Sequence, residues 1–250
     1  MLRHDRCRFD GLTIPVEIHG DGAPVLFLPG LGVHPGHYRE GLSGLGDRAT
    51  VFVPDLSFRT HADLPDRVAR YRQLVEELAV RYAPTAPRAG HSFGGFLALL
   101  GPAPAVALSP LVPVAIGWRR KVGRAVRLQL REYLGFEGSR GSRWAWSIMK
   151  EYVATAVRRP ASLFPAISET LQAISHAFRP TAPAGRIVLA EFDRLYHVVE
   201  SETFLSAAGG EFVVSRLPHG HSWPVTHPEL LARELRRALG TANGPGHEAA

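Results

Sequence analysis

The stretch Gly90-His91-Ser92-Phe93-Gly94 decides how the chain is read, because it sets a serine between glycines two positions away on either side. Where a strand turns sharply into a helix, the corner residue is forced into a strained backbone conformation and its side chain is lifted clear of the sheet. Side chains two residues before and after would collide there, so glycine is wanted at both places. The motif predicts an exposed Ser92 hydroxyl, a candidate nucleophile, provided that a strand precedes it and a helix follows. Phe93 to Leu100 can supply about two helical turns before Gly101-Pro102 stops them. Pro87-Arg88-Ala89 has almost no strand propensity, so pattern alone does not predict the strand that the corner requires.

Outward from the motif, short apolar runs alternate with helical patterns. Leu12 to Ile18 alternates like an edge strand, and Val25 to Leu28 and Val51 to Val53 are compact enough for buried strands. Between Leu64 and Tyr82 the apolar residues Val68, Tyr71, Leu74, Val75, Leu78 and Tyr82 recur at three and four, the spacing of an amphipathic helix. Ala105 to Leu108, Arg186 to Ala190 and Glu211 to Leu217 are further strands, and Pro228 to Leu239 is a helix expected to end at Gly240. This alternation predicts an α/β fold with a mainly parallel central sheet and helices on both faces. From Ser109 to Arg179 the pattern changes to helices rich in bulky residues such as Trp118, Trp144, Trp146 and Phe164, which reads as a helical cap inserted between strands. The expected organisation is a core of residues 1–108 and 180–240, a cap of 109–179, and a disordered tail of 241–250.

With 250 residues, 45% of them hydrophobic, the chain can bury one large core. Its net charge of +6 is unevenly spread. Residues 117–160 hold eleven Arg or Lys against Glu132, Glu137 and Glu151, so this one segment carries more positive charge than the whole chain. No nucleic-acid recognition motif accompanies that charge, and nucleic-acid binding is not expected. No run approaches the roughly 18 apolar residues that a membrane span needs. A single cysteine, Cys7, excludes an intramolecular disulfide and reads as an ordinary thiol near a flexible end; with the charged N-terminus it fits a cytoplasmic protein. His219, His221 and His227 lie on one short loop without a recognised ligand spacing, so no metal is expected.

A serine hydroxyl is a poor nucleophile at neutral pH and needs a base, itself oriented by an acid, together with donors for the oxyanion that develops. Asp193 follows the strand ending at Ala190, and His221 follows the strand ending near Leu217, giving the chain order Ser92, Asp193, His221. Glu191 and Glu200 are alternative acids, and His219 and His227 alternative bases.

Three landmarks give the chain its resemblance to the α/β-hydrolase fold superfamily: Leu28-Pro29-Gly30-Leu31-Gly32, Gly90-His91-Ser92-Phe93-Gly94-Gly95, and Gly220-His221 with Pro228. They look like the superfamily's oxyanion loop, its nucleophile elbow and its histidine loop, and the resemblance spans about residues 10–240. It implies Ser92 as nucleophile, His221 as general base and acid, Asp193 as the orienting carboxylate, and the backbone N–H groups of Leu31 and Phe93 as the oxyanion hole. It departs at Pro29-Gly30, where the family commonly has His-Gly, so a polar contact behind the hole is expected to be missing.

The function so implied is serine hydrolysis of an ester or thioester of a medium-sized, partly apolar small molecule, with no cofactor. The basic segment points to a substrate that is anionic or attached to a carrier. The same triad would also serve a lyase, a carbon-carbon hydrolase, a cyclase or a ligand receptor, because a fold does not fix its reaction. Epoxide and haloalkane hydrolysis are disfavoured, since those relatives carry Asp where this chain has Ser92.

Overall fold

The structure, a computed structural model, describes residues 1–57, 67–112, 180–193, 198–206 and 210–242, with a few helical positions between 146 and 158. The expected cap at 109–179 lies outside the described residues apart from 109–112 and those helical positions, and so does everything beyond 242 in the expected tail.

Eight strands, β1 (Leu2–Phe9), β2 (Leu12–His19), β3 (Ala23–Leu28), β4 (Ala49–Pro54), β5 (Arg88–His91), β6 (Ala105–Leu108), β7 (Ala184–Ala190) and β8 (Glu211–Leu217), make one sheet. Their order across it is β1-β2-β4-β3-β5-β6-β7-β8. β1 and β2 pair antiparallel, as do β2 and β4, and every pairing from β4 onwards is parallel. The segments before and after the expected cap join within this sheet, β6 lying beside β7.

Strand periodicity sorts side chains onto two faces. In β3, Leu26 and Leu28 enter one buried cluster while Val25 and Phe27 enter the other. The first cluster is closed by α2 (Arg67–Tyr82), through Tyr71, Leu74, Val75 and Leu78, and by α3 (Phe93–Leu99), through Phe93, Phe96 and Leu97. The second is closed by α1 (Arg39–Ser43) through Leu42, by α5 (Trp223–Thr226) through Trp223, and by α6 (Pro228–Ala242) through Leu231 and Leu235. A further helix, α4 (Val198–Ser206), lies between β7 and β8 in the chain. Burial on both sides is why β3 and β6 read as apolar runs rather than alternating ones.

The weak-propensity strand exists. β5 pairs with β3 on one side and β6 on the other, and all four of its residues are buried. Arg88 enters this interior because its guanidinium bonds Glu76 of α2 through both nitrogens, at 2.6 and 2.7 Å. Tertiary pairing outweighs local preference here.

Three expectations are corrected. Leu12 to Ile18 is not an edge strand, because β1 pairs along its whole length and forms the sheet edge itself. Cys7 belongs to β1 and is buried, packed in the first cluster, rather than lying near a flexible end. The last helix does not stop at Gly240 but runs through it to Ala242, so Thr241 and Ala242 are helical rather than part of a tail.

Candidate active site

The parallel strands all point their carboxyl ends in one direction, and that edge of an α/β sheet is where ligands bind. Loops after β3, β5, β7 and β8 carry Leu31, Ser92, Asp193 and His221 respectively. Ser92 sits at the corner between β5 and α3 with φ 54° and ψ −115°, a strained conformation for a residue with a side chain. Its backbone is pinned on every side. Ser92 N–H donates to Leu108 O at 3.0 Å, and Ser92 O accepts from Phe96 N and Leu111 N, each at 3.0 Å.

The glycines explain why so tight a corner closes. A β-carbon on Gly90 would overlap the Gly94 backbone, and one on Gly94 would overlap the carbonyls of Leu28 and Pro29. The second of these contacts lays the start of α3 directly against the loop that follows β3. Leu31 lies on that loop, which turns back on itself through a Val33 N–H to Gly30 O bond of 3.0 Å and a φ of 71° at Gly32. Phe93 opens α3, and the first amides of a helix have no partner within it. Leu31 and Phe93 are thereby brought to neighbouring loops at the same end of the sheet.

His221 and Asp193 meet Ser92 by side chain. His221 Nδ1 lies 2.7 Å from Asp193 Oδ2, and His221 Nε2 lies 2.9 Å from Ser92 Oγ. The two side chains of the His–Asp pair are each only 5% exposed. An ionised carboxylate can only accept, so Nδ1 carries the ring proton, which leaves Nε2 bare to accept the Ser92 hydroxyl proton. Asp193 is set in place by its own N–H to Ala190 O at 3.2 Å, while Phe192 N–H reaches His219 O at 3.0 Å and ties the acid loop to the histidine loop. Such an arrangement can move a proton from the serine oxygen to an imidazole held in one tautomer.

The competing residues go elsewhere. Glu191 is exposed, and Glu200 lies in α4. The His219 ring packs on His227, 4.3 Å between centroids, and His227 Nδ1 lies 3.0 Å from Thr226 Oγ1. His221 therefore does not converge with them; among the described residues no group of three His, Cys, Asp or Glu is arranged to hold a metal ion.

Three neighbours of the site escaped the sequence. Tyr38, at the end of the 3-10 turn Pro35–Tyr38, receives the Gly30 N–H on its hydroxyl at 3.0 Å. A polar contact behind the oxyanion loop is thus present, supplied from eight residues downstream and not from position 29. His91 is buried beside Ser92, and burial followed by the nearby His221 pushes its pKa down to about 3. Trp223 donates its indole N–H to Ser109 Oγ at 3.1 Å, where Ser109 directly follows β6 with φ 40°. His91 alone had a signal, its place inside the motif; Tyr38 and Trp223 become partners only when β3, β5 and β8 are assembled.

An eight-stranded, mostly parallel sheet with a serine at a strained strand-to-helix corner defines the class of α/β-hydrolase folds. Residues 25–234 match the alpha/beta hydrolase family, and the chain belongs to that family. No curated protein sequence matches it. Among solved structures it is similar to a bacterial membrane phospholipase A described as a virulence factor, with a TM-score of 0.71, 16% identity, and coverage of 97% of this chain and 87% of that one. A hydrolase from Pseudomonas aeruginosa PA01 gives a TM-score of 0.71 at 15% identity, covering 96% of this chain and 98% of the other. A mutant epoxide hydrolase from Vigna radiata gives 0.67 at 13% identity, with 96% and 99% covered. Structures named for different reactions superpose about equally well, so the likeness establishes the fold and leaves the reaction to the site. Among the described residues no helix is long and apolar enough to cross a membrane.

Proposed function

We propose that the protein is a serine hydrolase that cleaves an ester or thioester of a medium-sized, partly apolar small molecule through an acyl-enzyme. The observation that carries this reading is the continuous chain from Ser92 Oγ through His221 to Asp193, at 2.9 and 2.7 Å. Attack of Oγ on the carbonyl carbon passes the hydroxyl proton to His221 Nε2, and Asp193 stabilises the imidazolium that forms. The carbonyl oxygen, now an oxyanion, is received by the N–H groups of Leu31 and Phe93. His221 returns the proton to the departing alcohol or thiol as the tetrahedral intermediate collapses to acyl-Ser92. Water, deprotonated by the same imidazole, then releases the acid and restores the serine.

Binding of an anionic or carrier-attached acyl group is supported by the surplus of basic residues between 117 and 160. Matched anionic and neutral esters test it: preference for the anionic one, weakening as salt rises, is expected, and equal turnover removes this part of the reading.

The decisive experiment pairs a fluorophosphonate probe with a p-nitrophenyl ester assay. Wild-type protein is expected to bind one equivalent of probe at Ser92 and lose activity in proportion. Ser92→Ala is expected to lose both labelling and about 10⁵-fold or more of the hydrolytic rate. Wild-type turnover by Ser92→Ala would sink the proposal.

A further inference from the structure

Behind the reacting groups runs a second hydrogen-bonded chain that the mechanism above does not use. Gly30 N–H lies 3.0 Å from the Tyr38 hydroxyl, that hydroxyl lies 2.8 Å from His91 Nδ1, and His91 Nε2 lies 3.1 Å from the main-chain oxygen of His221. All three bonds are buried. Their direction follows from counting donors. The His221 carbonyl can only accept, so His91 Nε2 carries the ring proton. Burial keeps His91 neutral, with its pKa near 3, so Nδ1 is bare and takes the Tyr38 proton. The Tyr38 oxygen in turn accepts from Gly30.

Each station on this chain is next to a group that the proposed reaction needs. Gly30 immediately precedes Leu31, His91 immediately precedes Ser92, and the last carbonyl belongs to His221 itself. We propose that Tyr38 and His91 are positioning residues that lock the oxyanion loop, the nucleophile elbow and the base into one frame, the Tyr38 hydroxyl bridging Gly30 N–H and His91 Nδ1. The proposal rests on the reading of Ser92, His221 and the Leu31 amide given above.

Packing alone does not account for the hydroxyl. The Tyr38 ring meets Phe27 edge-on at 5.0 Å between centroids, a contact that phenylalanine would make equally well. An apolar ring would also spare the interior a polar atom that must be satisfied. Tyr38 is 1% and His91 2% exposed, so neither is placed to touch substrate. What the pair can do is hold the Leu31 amide at the distance a developing oxyanion needs, an effect felt in the transition state more than in substrate binding.

Tyr38→Phe removes one oxygen and keeps the ring. The variant is compared with wild type per active site, counted by fluorophosphonate titration. Its kcat for a p-nitrophenyl ester is expected to fall about 10- to 100-fold, as a misplaced donor implies. KM is expected to change by less than about twofold, and affinity for a trifluoromethyl ketone, which forms a tetrahedral oxyanion on serine, to fall in parallel with kcat. A purely structural role would lower the number of titratable sites and leave kcat per site alone; a per-site kcat within about twofold of wild type overturns the proposal. Should Tyr38→Phe fail to fold, ¹⁵N-imidazole spectra of the wild-type protein decide instead. A His91 that stays neutral with its proton on Nε2 from about pH 5 to pH 9 is expected, and the opposite tautomer overturns the frame. If the fluorophosphonate does not label wild-type protein, the serine-hydrolase reading fails and takes the frame with it. A labelled wild type beside an unimpaired Tyr38→Phe sinks the frame alone.

Discussion

Asp10 and Ser92 each hold a side chain at positive φ, and they do so for opposite reasons. At the β1–β2 turn, Asp10 and Gly11 have φ of 48° and 78° and join Phe9 to Leu12 in a two-residue hairpin. Asp-Gly is the local chemistry that such a turn favours, and a β-carbon added to Gly11 would meet nothing within 4 Å. At the elbow, Ser92 has φ 54° with no local preference for it; the carbonyls of Leu28, Pro29 and Gly90 crowd the surrounding glycines, and bonds from Leu108, Phe96 and Leu111 fix the corner. The hairpin turns because of its own two residues. The elbow turns because three strands and a helix leave it nowhere else to go, which is how surrounding structure holds a strained residue in place.

That contrast fails at its strongest point if the elbow's geometry serves no chemistry. Asp193→Asn leaves the corner intact and turns the proton-accepting side of the pair into one that also favours the wrong histidine tautomer. Ester hydrolysis is expected to fall about 10⁴-fold with the urea midpoint nearly unchanged, while Glu191→Gln, on the exposed neighbour, changes the rate by less than about twofold. Comparable losses for both would separate the corner from the reaction.

Gly94→Ala tests the packing directly. With the carbonyl oxygens of Leu28 and Pro29 in the way, α3 must move off the end of β3, at a cost of about 3 kcal/mol or more. Chemical denaturation of Gly94→Ala measures it. A loss below about 1 kcal/mol would mean the corner relaxes freely.

The elbow's surroundings also confer a pH dependence. His91 has a folded pKa of about 3, far below the ordinary histidine value of 6.5, chiefly because it is buried. The unfolded chain takes up a proton below pH 6.5 that the folded protein refuses, so this stabilisation is complete above pH 6.5 and is lost as pH falls towards 3. The slope is about 1.4 kcal/mol per pH unit, or about 2 kcal/mol between pH 6.5 and 5. His37, lowered to about 4 by burial and by His34, acts in the same direction. Urea midpoints for wild type and His91→Asn across that range are expected to converge at acid pH.

The same contrast explains what was legible in the sequence. Buried strands such as Val25 to Leu28 announce themselves as compact apolar runs and the amphipathic helix ending at Tyr82 by its period, and the G-x-S-x-G string marks the corner without any help from the strand before it. Leu31, Ser92, Phe93, Asp193 and His221 each fall at strand ends, so topology and motif together could nominate them. Tyr38 and Trp223 could not be nominated, because nothing local marks either side chain and the side chains they bond, His91 and Ser109, are 53 and 114 residues away. β1 was hidden differently: Arg3, Asp5, Arg6 and Arg8 mask an alternation that leaves only Cys7 and Phe9 buried. Its one local signal, Asp10-Gly11, lay at the strand's end rather than in it.

Gly11→Ala is the smallest test and the most diagnostic. With open space around the new methyl group, the whole cost is conformational, the penalty an L-residue incurs at φ 78°. About 1 kcal/mol is expected, with ester hydrolysis per titrated site unchanged. The same chemical change, glycine to alanine, is thereby compared where the backbone is set by two residues and, at Gly94, where it is set by the fold. A Gly11→Ala loss as large as that of Gly94→Ala would mean that the hairpin too is held by tertiary packing, since a local turn can only cost what its own dihedrals cost.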